Sequence, residues 1–252
     1  MNVKESNIAD NGSKVVDRLR RTFAIGGIAA LLSALGALVD IGVGMATGGS
    51  VSAIPHDAVG RFAELVANPL LGLYHLDLLN LVTTLLMVPV LYACWHALRR
   101  ESTAAGLALA VGIIGVSVFI ANNAALPMLG LSEDYASADA PRRALLAAAG
   151  EAVLAKGAHG TPGVIAGFLL ATVANLLLSG AMLETKVFSR ATAILGLCGN
   201  LLLGVYLVLV TLLPRVQDMA LFFAAPGGLM AIAWMLLMTA RLFRLSHATQ
   251  QV

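Results

Sequence analysis

Six runs of predominantly apolar residues, at about 22–47, 70–98, 103–126, 162–183, 191–213 and 219–240, constrain this chain more than any other feature. Each reaches the roughly 20 residues, at about 1.5 Å per residue, that an α-helix needs to cross the hydrocarbon core of a bilayer. Hydrophobic residues make up 59% of the 252 and charged residues 12%, with a mean hydropathy of +0.87. A soluble globule carries about 25% charged residues to cover its surface, so the bilayer is the expected solvent and partner. The predicted fold is all-α, a polytopic membrane bundle of six transmembrane helices. The net charge is only +2, and the basic residues sit in short groups at the ends of the apolar runs, which argues against a nucleic-acid footprint.

Six crossings put both termini on one side, and Lys and Arg choose the side, because cytoplasmic segments carry the basic excess. An N-in, C-in orientation makes 11 of the 16 cytoplasmic: Lys4, Lys14, Arg18, Arg20, Arg21, Arg99, Arg100, Lys186, Arg190, Arg241 and Arg244. The first run, with about 25 residues, exceeds the roughly 7–15 of a secretory h-region and is expected to be a retained helix. The expected organisation is a basic cytoplasmic tail (1–21), a transmembrane domain (22–240) and a cytoplasmic C-terminal tail (241–252).

Two extracytoplasmic segments read as short amphipathic helices that lie at the interface or cap the bundle. Pro55 to Ala67 places Val59, Phe62 and Val66 on one face, pairs Asp57 with Arg61 four residues on, and stops at Asn68-Pro69. Asp139 to Lys156 has Asp139 as N-cap, Pro141 in the first turn and Leu145, Leu146, Ala149 and Val153 as its apolar face. The order of Pro-started helix, span, basic turn and span recurs at 55–126 and 141–213, a weak echo of an internal repeat.

Small residues at four-residue spacing let membrane helices approach closely. The stripes are Gly36, Asp40, Gly44, Gly48 in the first span, Gly163, Gly167, Ala171, Asn175, Ser179 in the fourth, and Gly196, Asn200, Gly204 in the fifth. Since i and i+4 share a helical face, Asp40, Asn175 and Asn200 are expected to point at neighbouring helices. Such stripes are also candidate surfaces for homo-oligomers.

Carboxylates inside a span are costly, about 2.5–3.5 kcal/mol at the membrane centre, and usually carry a partner or a role. Asp40 and Asp77 each lie about seven residues, roughly 10 Å, from the outer end of their helices. On a continuous second span Asp77, Asn80 and Thr84 fall within about 60° of one another, while His75 lies roughly 160° away. The predicted site is thus an outer-third polar cluster of Asp40, Asp77, Asn80, Thr84 and Asn122, with His75 as a separate outer contributor. It reads as a binding site for a cation, a proton, a small polar solute or a lipid headgroup. It reads equally as hydrogen-bonded packing in which burial and like charge keep one Asp protonated. A membrane enzyme acting on lipid, with either Asp as general acid or base, is the reading from another class.

No HExxH, GxSxG, Walker or GxGxxG motif stands in a suitable context, so catalytic residues are not identified. Cys94 and Cys198 lie in apolar runs without CxxC spacing, and neither a metal site nor a cofactor is predicted. Haem ligation by histidines is disfavoured because His247 lies beyond the last span and His159 in a Gly-rich loop.

The outer helix before the second span, the stretch YHLDLLNLVTTLLMVPVLYACWHALRR and the turn LETKVFSRATAILG are the chain's most recognisable segments. Through them most of residues 15–240 resembles the uncharacterised bacterial family filed as domain of unknown function 4386. Lys186, Phe188, Arg190 and Gly196 fit that family's turn, and Ser189 stands where proline is usual. The resemblance implies the six-helix layout and no activity or site residues; the expected location is the inner membrane.

Overall fold

The computed structural model describes residues 3–46, 54–213 and 217–248. Among them are ten helices and no strand: α1 (Val3–Ala46), α2 (Ala58–Ala67), α3 (Pro69–Tyr74), α4 (Leu78–Leu98), α5 (Ala104–Asn122), α6 (Ala125–Ser137), α7 (Ala140–Gly157), α8 (Pro162–Glu184), α9 (Arg190–Leu212) and α10 (Gln217–Ala248). Six segments, containing α1, α4, α5, α8, α9 and α10, are long and apolar enough to cross a membrane, so this is a multi-pass membrane protein. Both α1 and α10 run on as helix through residues expected to be tails.

The six long helices close into a ring, α1 on α4, α4 on α5, α5 on α8, α8 on α9, α9 on α10 and α10 back on α1. In that order α9 stands opposite α4. The short helices α2, α3, α6 and α7 pack on one another across one end, here called the capped end. The turns 99–103 and 185–189 lie at the other, the turn end.

Side-chain size sorts the two faces of each ring helix. On α1 the small Ala29, Ala30, Ser33 and Ala34 are buried, while Ile28, Leu32, Leu35 and Val39 stand 46–53% exposed. Lipid tails solvate Leu and Ile as well as a protein core does, so association is driven by close backbone approach at small residues. The α5–α8 seam has this character: a Cβ on Gly115 would lie 3.1 Å from the Ala171 nitrogen and 3.3 Å from the Gly167 oxygen. The stripes are used in this way within the chain. Gly36 meets Thr83, Gly163 meets Asn122, Gly196 meets Ser179 and Trp234, and Gly204 meets Thr172. Gly48 lies outside the described residues.

Filling differs between the ends. At the turn end Phe23, Leu91, Leu98, Met182, Trp234 and Leu242 belong to one buried core drawn from around the ring. Ser102 donates to Glu184 (2.6 Å), tying the two turns, and Ser246 donates to the Arg20 carbonyl (3.0 Å), tying α10 to α1. Towards the capped end no residue of α1 from Leu35 to Met45 is buried, and none of α9 from Leu201 to Leu213. Burial is therefore densest at the turn end and sparse along α1 and α9 towards the capped end, while the α5–α8 seam stays tight.

Several expectations are corrected. The second span begins at Leu78 instead of residue 70, because α3 ends at Tyr74 and the chain breaks at His75-Leu76-Asp77. Leu76, 1% exposed, turns into a small core with Phe62, Leu65, Met128 and Leu154, and the Asn123 amide donates to its carbonyl (3.1 Å). The third span ends at Asn122, after which Asn123 accepts from the Ala125 N–H (3.0 Å) and starts α6. The cap thus holds four short helices instead of two. In α2, Asp57 accepts from the Gly60 N–H (2.8 Å) instead of pairing with Arg61, and Ala58, Phe62 and Leu65 are buried while Val59 and Val66 stay exposed. Asp139 does cap α7, accepting from the Arg142 N–H (3.0 Å).

Candidate functional site

Asp77 is the hinge between the cap and α4. Its φ of 64° places a non-glycine residue in the left-handed region, which L-residues avoid by about 1–2 kcal/mol and Asp tolerates better than most. The side chain is 7% exposed and fully engaged. Asn80 donates its amide to one oxygen (2.8 Å), and His159 Nδ1 faces both oxygens (3.0 and 3.2 Å). His159 comes from the turn between α7 and α8, where Gly160 takes the left-handed φ of 82° that lets the chain double back. Its side chain is 51% exposed. With Nδ1 held on a carboxylate, Nε2 is left to an incoming group.

Asp40 joins from α1. The Tyr74 hydroxyl donates to the Asp40 carbonyl (3.2 Å), and burial, followed by the Asp40 charge, pushes the phenol up to about 12. Tyr74 is therefore a neutral donor at any physiological pH. Tyr206, on α9 across the ring from α4, lies within electrostatic reach of both Asp40 and Asp77.

Of the predicted cluster, Asp77 and Asn80 are bonded, and Asp40 is linked through Tyr74 without touching Asp77 directly. Asn122 is not part of it: its amide donates to the Val118 carbonyl (2.7 Å) of its own helix, beside Gly163. Thr84 is half-buried and makes no hydrogen bond among the described residues; its neighbour Thr83 meets Gly36. The helical phase that grouped Thr84 with Asp77 fails because α4 starts only after Asp77. His75 points elsewhere, to Glu64 (2.6 Å). Asn175 and Asn200 do meet across the α8–α9 interface (3.0 Å), a pair that contributes about 0.6 kcal/mol and fixes register.

Sequence reasoning missed His159, Tyr74 and Tyr206. His159 could have been found from topology, since its Gly-containing turn lies at the same end of the bundle as Asp77. Among the described residues no group of three or more His, Cys, Asp or Glu side chains converges as metal ligands would.

No protein-family model, no curated protein and no solved structure matches this chain. Fold and site together define a multi-pass helical membrane protein with a carboxylate–imidazole pair where the cap meets the bundle.

Proposed function

We propose that the capped end faces the cell exterior, that a water-accessible hollow opens there between α1 and α9, and that it binds, or passes onward, a small cation or amine-bearing solute. The reading is carried by the sparse burial of α1 and α9 towards the end that holds Asp40, Asp77 and Asn80, with the turn end closed by the core around Trp234. Two carboxylates attract positive charge, and the Tyr74 and Tyr206 rings suit it further. The basic excess at the turn end supports placing that end in the cytoplasm, with the inner membrane as the protein's location. Purified protein melted with tetramethylammonium, ethanolamine or spermidine should gain about 2–4 °C with at least one of them. Asp40→Asn and Asp77→Asn should abolish the gain. Unchanged melting of the wild type with all three, or a gain that survives both substitutions, would refute cation binding here.

The Asp77–His159 pair favours a second reading, an acid–base enzyme using His159 Nε2 on a lipid. That reading needs an apolar groove beside the carboxylates. A shallow apolar cleft of 330 Å³ does occur, but its walls are Val59, Phe62, Val66 and Tyr135, between α2 and α6 in the cap. The binding reading is the better supported.

A further inference from the structure

The cap contains a second charged centre that the hollow does not use. Arg61, on α2, has a side chain only 9% exposed. Its Nη1 donates to one oxygen of Glu64 (3.1 Å), and the other Glu64 oxygen holds His75 Nδ1 (2.6 Å). Glu64 is thereby fully committed. Arg61 Nε is buried with no partner, and nothing among the described residues accepts from Nη2.

That pattern is unusual for a buried cation, whose donors are normally all satisfied. The nearby carboxylates are already spent on backbone N–H groups, Asp57 on Gly60 (2.8 Å) and Glu151 on Ala58 (2.7 Å). The unpaired Nε–Nη2 edge is also the side of a guanidinium that receives an oxyanion through two parallel hydrogen bonds. Arg61 and Glu64 cancel in charge, so an anion arriving on this edge meets a neutral pair.

We infer that the Nε–Nη2 edge of Arg61 is an anion-binding site that takes two oxygens of a phosphate group. The phosphate comes from a lipid headgroup at the membrane surface or from free solution, and the same fork serves both. The site rests on α2 and α3 and stands or falls independently of the cation reading for the hollow.

Two measurements on the purified full-length chain test it. Thermal unfolding is followed while inorganic phosphate replaces chloride at constant ionic strength, and native mass spectrometry follows lipid retained from nanodiscs of phosphatidylglycerol and phosphate-free galactosyl diacylglycerol. The wild type should melt about 2–4 °C higher in phosphate, or retain phosphatidylglycerol in preference to galactosyl diacylglycerol. Arg61→Lys keeps a cation opposite Glu64 but removes the fork, and should weaken the effect about tenfold. Glu64→Gln leaves the fork, removes the competing charge, and should bind at least as tightly as wild type. A phosphate shift identifies a free anion, and lipid retention without it identifies a headgroup. Neither effect in the wild type, an effect unchanged in Arg61→Lys, or one lost in Glu64→Gln overturns the site.

Discussion

The two ends of the ring are built from nearly the same amino acids and differ in what fills the middle. At the turn end Trp234, Leu98, Met182 and Met238 are fully buried, and the chain ties neighbouring elements with Ser102–Glu184 and Ser246–Arg20. At the capped end α9 buries nothing beyond Asn200, and the polar groups come from three places where helices break: Asp77 before α4, Asn123 after α5 and His159 before α8. The lesson is that apolar composition makes a helix cross the membrane, but backbone breaks decide where polar chemistry collects. A broken helix exposes peptide groups that must find partners, and those partners are the residues a site is made from.

Substitutions can break this contrast. Trp234→Ala should cost about 3–5 kcal/mol in reversible unfolding, because it opens a cavity among helices that cannot collapse onto it. The matching truncation at the hollow end, Leu209→Ala, removes a half-exposed side chain and should cost less than about 1 kcal/mol. Equal losses would mean that both ends are packed alike.

Asp77 separates backbone from charge. Asp77→Val forces a β-branched residue to a φ of 64° and should cost about 2 kcal/mol, whereas Asp77→Asn, which tolerates that conformation, should stay near wild-type stability. A stability loss in Asp77→Asn as large as in Asp77→Val would make the carboxylate a structural element. Ser102→Ala, which removes the clip between the two turns, should cost about 1 kcal/mol, again by equilibrium unfolding. The smallest effect is expected for His159→Ala. Amide exchange at residues 158–161 should quicken while the global melting temperature hardly moves, since His159 holds a turn and no core.

The number and order of the crossings were legible from the apolar runs, because crossing a bilayer demands about 20 such residues and little else. The stripes of Gly36, Gly167 and Gly196 were legible for a similar reason: small residues four apart can serve only close approach. The break at His75-Leu76-Asp77 was not. Leu70 to Leu98 is apolar almost throughout, so periodicity carries no signal where the helix stops, and the cause is a distant amide, Asn123 on the Leu76 carbonyl. The same break explains why only part of the predicted cluster meets. Asn80, three residues on from Asp77, reaches its carboxylate, while Thr84 depended on a helical phase that begins only at Leu78, and Asn122 turns back to the Val118 carbonyl of its own helix.

Water access to the interior of the ring tests the central contrast most directly. Single cysteines at Asn80 and Tyr206, and at Ala30 and Leu178, would be introduced in a Cys198→Ser background, where the remaining Cys94 is fully buried. Intact cells would then be treated with a membrane-impermeant thiol reagent. The hollow-end account predicts rapid labelling of Asn80→Cys and Tyr206→Cys from outside and none of Ala30→Cys or Leu178→Cys. Protection of all four positions, or labelling of the first two only after the membrane is permeabilised, would contradict it.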